Sequence, residues 1–327
     1  MRSKRKYGRV AFISTPKFRK ARPGVVDDFI YRYMYSLCNS FHVVATGGTY
    51  DHVKRVVNQS PQRKHIKLIE EDTRFSKLDA SDLARWRKTI MGSLKPTMPS
   101  FPGMIYIAYE LVEGRLDAVI HLTDWEDKSA KPDSAVLSRE ANVHNVPIAT
   151  DPDTARAHIE SWNACLAKGS SETPVFRKRD QSQEPPLTGL KKGDRVIAMV
   201  AHDNMKLELC RFCIANSSHI FKKYDWILAT GTTGKWLRLF MEAKGHGPDE
   251  VKKIRLCNSG PQGGDLQIAY AVVLGICSKV IFFQDPSVPH PHDSDIRLFE
   301  QAVVAPDVHV QLATNVDSAR FLIDTSG

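Results

Sequence analysis

Short apolar runs alternate with amphipathic segments along the whole chain. In the second half, residues 195–201, 225–230, 253–257, 279–284 and 308–312 carry the short apolar runs and read as strands. Between them, 204–217, 233–243, 265–276, 294–304 and 316–323 carry apolar residues at helical spacing. Strand followed by helix, repeated in this way, predicts a parallel sheet with helices on both faces. Such sheets bind ligands beyond the carboxyl ends of their strands, so the loops that follow the predicted strands are where chemistry is expected.

The first half repeats this pattern. RVAFIS (9–14) echoes RVIAMV (195–200), and VVATGGTYD (43–51) echoes ILATGTTGK (227–235). IAYELVEGRLDAVIHLTDW (107–125) echoes IAYAVVLGICSKVIFFQDP (268–286), and VPIATDPDTARAHI (146–159) echoes VQLATNVDSARFLI (310–323). Four collinear echoes, at offsets of 186, 184, 161 and 164, mark a fused duplicate. The fall of 23 between the second and third places an insertion, read as a helix plus a loop, within 58–100 of the first copy. Residues 167–192 have the Pro, Ser, Glu and Lys content of a linker. The expected organisation is a first domain at 1–166, a linker at 167–192 and a second domain at 193–327. Each domain is a three-layer, doubly wound α/β unit with a parallel five-stranded sheet.

Charge changes the picture once it is divided. The net +9 is the sum of +7 over 1–166, +3 over 167–192 and −1 over 193–327. A basic first half with the start MRSKRKYGR raises nucleic-acid binding, but aromatic stacking motifs beside the basic residues are lacking, and this is the weakest reading. No apolar run reaches the roughly 18 residues of a membrane helix, and no apolar signal core follows the basic start. Six cysteines in 327 residues suggest no disulfide framework and a reducing, cytoplasmic setting. Cys210 and Cys213 form a CxxC within an apolar helical stretch and read as buried thiols.

Candidate chemistry collects after the strands of the second copy. His202, Asp203 and Lys206 follow the first strand. Thr230, Thr232 and Thr233 stand in a GTTG turn at a helix start, an arrangement that suits phosphate. NSGPQGGDLQ then supplies Ser259, Gly260 and Asp265, and DPSVPHPHDSD supplies Asp285, His290, His292, Asp293 and Asp295. Each motif has a plainer alternative. Asp203 and Asp295 also read as helix caps, Asp285 as a turn residue, the histidines as surface groups, and the 285–295 cluster as a metal site. Convergence of four loops on one sheet edge favours function.

VAHDNMK, ATGTTG, SGPQGGDLQ, FFQDP, PHDSD and LATN occur in that order across about 193–324, and over this span the chain resembles methylglyoxal synthase. The resemblance implies a carbon–oxygen lyase that converts dihydroxyacetone phosphate to methylglyoxal and phosphate without metal or organic cofactor. It places Asp265 as catalytic base, His292 as proton relay on the carbonyl side, Asp295 as an assisting carboxylate with Asp285 close by, and His202 and Asp203 at the same mouth. Lys206, Thr230, Thr232, Thr233, Ser259 and Gly260 match the phosphate-holding set. The family's hexamers suggest a homo-oligomer, a fused pair forming a trimer that mimics them. A C-terminal basic phosphate contact is missing from this chain, unless Arg320, or a basic residue of the first copy or of a neighbouring chain, replaces it.

The first copy keeps the scaffold and loses the chemistry. Met104 stands opposite Asp265, PKF (16–18) occupies the AHD region, and WEDKSAKPDS has no histidine to match His292, although Asp124 matches Asp285. This copy is expected to be inactive. It is either purely structural or an anion site built from Thr46, Thr49, Lys17, Arg19 and Lys20. The alternative for the whole protein is a non-catalytic sensor of a phosphorylated metabolite or nucleotide.

Overall fold

The computed structural model describes residues 8–59, 80–97, 103–124, 132–167, 184–288, 292–305 and 307–324. The chain divides into two compact units, Met1–Asp180 and Gln181–Gly327. In the first, β1 (Arg9–Ser14), β2 (His42–Ala45), β3 (Leu94–Pro96), β4 (Ala118–Leu122) and β5 (Ile148–Ala149) form one sheet in the order β3-β2-β1-β4-β5. In the second, β6 (Val196–Ala201), β7 (Trp226–Ala229), β8 (Ile254–Leu256), β9 (Cys277–Phe283) and β10 (Gln311–Ala313) run in the order β8-β7-β6-β9-β10. Every pairing is parallel, and the two topologies are the same strand for strand. After its first strand the chain moves to one side, and it returns on the other through β4 or β9. The strand order therefore reverses beside β1 and β6, which opens a crevice at their carboxyl ends.

The central strands are apolar without alternation because both faces are covered. Val196 to Val200 are all at most 3% exposed. In the first unit, helix Pro23–Ser40 lays Val26, Phe29, Ile30, Met34 and Leu37 on one face of the sheet, at the three- and four-residue spacing of one helix stripe. Phe29 stacks on Phe12 of β1 with ring centroids 5.6 Å apart.

Four expectations are corrected. The first echo is out by one residue. Val10 pairs with Val43 and Ala118, whereas the residue that pairs with Ile227 and Lys279 is Ile197. The offset in this strand is thus 187, so Thr15 stands at His202, Pro16 at Asp203 and Arg19 at Lys206. Matching amide bonds agree: Thr15 N–H donates to Leu122 O at 3.0 Å and His202 N–H to Phe283 O at 3.1 Å. Second, the last strand is Gln311–Ala313, later than 308–312, because the chain is still turning at Asp307 (φ 67°) and Val308 N–H bonds Ala305 O at 3.2 Å. Third, helix Lys206–Ala215 ends at Asn216, where a second helix, Ser217–Lys223, begins. Fourth, residues 184–192 of the expected linker fold onto the second unit. Leu187 and Leu190 are buried there, and Arg255 donates to the carbonyls of Pro186 and Thr188. Residues 168–183 of that linker lie outside the described residues. The helix expected in the insertion is Ala80–Ser93, and residues 60–79 also lie outside the described residues. Among the described residues, no helix is long and apolar enough to cross a membrane.

Candidate active site

A cavity of about 290 Å³ lies at the carboxyl edge of the second sheet. It is lined by ten of the twelve expected site residues: His202, Asp203, Lys206, Thr230, Thr232, Thr233, Ser259, Gly260, Asp265 and His292. Asp285 and Asp295 do not line it.

Part of the lining gathers hydroxyls, helix-start amides and a lysine. Thr230 sits at the N-terminal cap of helix Gly231–Ala243 but makes no side-chain capping bond. Its hydroxyl instead donates to Thr233 Oγ1 at 3.2 Å. The first amides of a helix have no partners within it, so this start presents donors and positive potential to the cavity. The Lys206 ammonium lies alongside, only 12% exposed and paired with Asp203, which stays at the rim at 92%. Among the described residues, Lys206 is the one Lys or Arg on the lining. Arg320 is exposed, pairs with Asp317 at 3.0 Å and does not reach the cavity.

The lining also holds a carboxylate beside an imidazole. Asp265 opens helix Gly264–Val273 and is 3% exposed. Its Oδ2 lies 3.3 Å from His292 Nε2. Two glycines make this approach possible. A Cβ on Gly264 would fall 2.0 Å from Asn258 O, and one on Gly260 would fall 2.8 Å from His292 Nε2 and 3.1 Å from Asp265 Oδ2. Gly263 adopts φ 88°, a left-handed turn open to glycine at little cost, and this turns the chain into the helix that carries Asp265.

The two remaining aspartates contact residues of the cavity lining through the main chain. The Asp285 amide donates to His202 Nδ1 at 2.8 Å, which leaves the proton of the neutral imidazole on Nε2. The ring also stands edge-on to Phe282, with centroids 5.0 Å apart. The Asp285 carboxylate accepts from Asn204 Nδ2 and from the Ser287 amide, both at 2.9 Å. Those donors, Asn204 first, hold its pKa below the ordinary carboxylate range. Asp295 is fully buried in the first turn of helix Asp293–Val303, which His292 caps, and its amide donates to His292 O at 2.9 Å. The contacts of Asp285 with His202 and of Asp295 with His292 are thus made by their main-chain amides, and neither residue lines the cavity.

Sequence reasoning missed two groups. Asn204 sits inside AHDNMK, and Gln267, 2% exposed, ends GGDLQ and accepts the Asn258 amide at 2.7 Å, which pins the glycine loop. Their signal was their place within the motifs. Among the described residues, no three His, Cys, Asp or Glu side chains come together as metal ligands, and His290 lies outside those residues.

No family model matches the chain. It is 37% identical over 133 residues to methylglyoxal synthase of Maridesulfovibrio salexigens, a match covering 39% of this chain and 82% of that protein. Over 128 residues it is 43% identical to methylglyoxal synthase of Clostridioides difficile, covering 39% and 83%, and 41% identical to that of Cupriavidus taiwanensis, covering 39% and 86%. Among solved structures, methylglyoxal synthase of Elizabethkingia anophelis is 32% identical, with 40% of this chain and 78% of that chain covered and a TM-score of 0.34.

Proposed function

Because the chain belongs to the methylglyoxal synthase family, we propose that its second unit converts dihydroxyacetone phosphate to methylglyoxal and inorganic phosphate. The observation that carries this reading is one cavity lined both by Asp265 and His292, in contact with each other, and by Lys206 with the threonine turn. The substrate phosphate sits against Lys206, Thr230, Thr232, Thr233 and the helix-start amides. That leaves the three-carbon end beside Asp265.

Asp265 takes a proton from the hydroxymethyl carbon, and the electron pair moves into the carbonyl to give an enediolate. His292 serves the oxygen side of that species, moving protons between its hydroxyl and carbonyl oxygens. Donors placed in advance stabilise the developing charge at no reorganisation cost. The enediolate then expels phosphate as its carbon–oxygen bond breaks, which leaves the enol of methylglyoxal. This enol becomes the ketone by losing its hydroxyl proton and taking one on carbon, while the departing phosphate oxygen takes up the other proton, so that the proton removed by Asp265 is returned and the sum is methylglyoxal and hydrogen phosphate. Lys206 and the helix start hold the phosphate as its charge grows on departure. Asp265 is only 3% exposed, which limits the access of water to the base.

The test is phosphate release and methylglyoxal formation by the purified chain supplied with dihydroxyacetone phosphate. Asp265→Asn is expected to lower kcat by about 10²–10⁴-fold, the worth of a positioned proton-transfer group. No turnover by the intact chain, or undiminished turnover by the variant, overturns the reading.

A further inference from the structure

We propose that the first unit holds a second, non-catalytic site for a phosphate monoester, in which Arg19 takes the place of Lys206. The hydrogen-bonded register carries the assignment. With the first-strand offset at 187, the residue standing at Lys206 is Arg19. The threonine turn is reproduced with it. Thr46 and Thr49 share a hydroxyl–hydroxyl bond of 3.0 Å at the start of helix Gly47–Asn58, as Thr230 and Thr233 do at 3.2 Å. Thr46, like Thr230, makes no side-chain capping bond.

Arg19 lies across this turn. Its Nη1 donates to the carbonyl of Ser14, to Ser14 Oγ at 3.2 Å and to Thr49 Oγ1 at 3.4 Å. Its Nη2 passes 3.2 Å from the point where a Cβ on Gly48 would stand. Gly48 occupies the position of Thr232, so the absent side chain leaves the room that the larger guanidinium uses. The acceptors around Arg19 are neutral, and among the described residues no carboxylate forms an ion pair with it. Burial, and after it the like charge of Arg55, press its pKa below the ordinary arginine value. Arg55 itself is tied through His52 to Asp27, so the cation free to meet a dianion is Arg19, half-buried among neutral acceptors at an uncapped helix start.

The same register explains why a bound ester is not turned over. Met104 stands where Asp265 stands, and Thr15, at the position of His202, spends its hydroxyl accepting the Phe18 amide at 3.2 Å. The phosphate end of the site is thus kept and the proton-transfer end is lost.

The test is calorimetric titration of the full chain carrying Lys206→Gln, which removes the cation of the second-unit cavity, with inorganic phosphate at low salt and, in parallel, with glycerol 3-phosphate. One equivalent of each ligand is expected to bind. Adding Arg19→Gln should weaken both by roughly ten- to a hundred-fold, the range for a charge-assisted hydrogen bond. Arg19→Lys, which copies the second unit, should retain them, and unchanged melting of both variants excludes unfolding as the cause. No binding to the Lys206→Gln chain, or equal binding with and without Arg19, overturns the site. Binding of phosphate but not of the ester overturns the ligand class. Because the readout is binding and not turnover, the result stands apart from the outcome of the dihydroxyacetone phosphate assay.

Discussion

Neighbouring glycines in the SGPQGGD loop should fail in opposite ways. A methyl at Gly260 would sit 2.8 Å from His292 Nε2 and 3.1 Å from Asp265 Oδ2. To regain an ordinary contact of about 3.5 Å, the imidazole must retreat by roughly 0.7 Å. The obstacle is the end of a side chain, and Gly260 is not in the left-handed region, so the fold absorbs the change for less than about 1.5 kcal/mol. The chemistry does not. A misplacement near 1 Å costs about 10²-fold in rate, so Gly260→Ala is expected to lower kcat by roughly 10- to 100-fold with little change in KM. At Gly264 the methyl would meet the backbone oxygen of Asn258 at 2.0 Å, where nothing flexible yields. Gly264→Ala should therefore destabilise the second unit by about 2–3 kcal/mol or more, through overpacking. Steady-state kinetics with dihydroxyacetone phosphate, set beside denaturant melts of both variants, measure the contrast. Full activity in Gly260→Ala, or the same stability loss in both variants, would refute the placement of Gly260 between base and imidazole.

Two further outcomes follow from the surroundings of single groups. Asn204→Ala removes the leading donor to Asp285, so the carboxyl pKa, now depressed, should rise toward the ordinary range in a carbon-13 NMR titration. Since a depressed pKa lends stability above the unfolded value and loses it as pH falls through the folded one, the acid limb of stability should move upward with it. An unmoved Asp285 titration would show that Asn204 does not hold it. Thiol labelling of the native chain should reach half-exposed Cys165 first and leave Cys210 and Cys277 unreacted until denaturant is added. Burial pushes those two thiols up to about 11 and about 12. Rapid native labelling of either would contradict their burial.

The strand–helix alternation was legible because strands covered on both faces carry unbroken apolar runs, and that pattern depends only on composition in sequence order. The site was legible for a related reason. The turns after strands are short, so motifs such as ATGTTG and SGPQGGDLQ cannot wander far from the sheet edge. The one-residue slip in the first echo has the opposite cause. RVAFIS and RVIAMV are apolar between a leading Arg and, in the first, a final Ser, so letters match almost as well one place over, and only hydrogen-bonded pairing with β2 and β4 separates the two alignments. The helix Ser217–Lys223 was missed because the chain bends at Asn216 without interrupting the polar–apolar rhythm.

By itself, then, the order of residues determined two like α/β units, the loops whose residues line the cavity, and the absence of a counterpart of Asp265 in the first. Tertiary structure alone decided where each carboxylate stands. Asp265, Asp285 and Asp295 all follow strands or open helices, and as letters they are equivalent. Asp265 reaches the cavity because two glycines clear its path, Asp285 is held by Asn204 and Ser287, and Asp295 is enclosed under its own helix start. Tertiary structure also turned Arg19 from one of several basic residues into the counterpart of Lys206. The physical reason is the same in both cases. Orientation and register are set by partners distant in the chain, and no local pattern encodes which partner arrives.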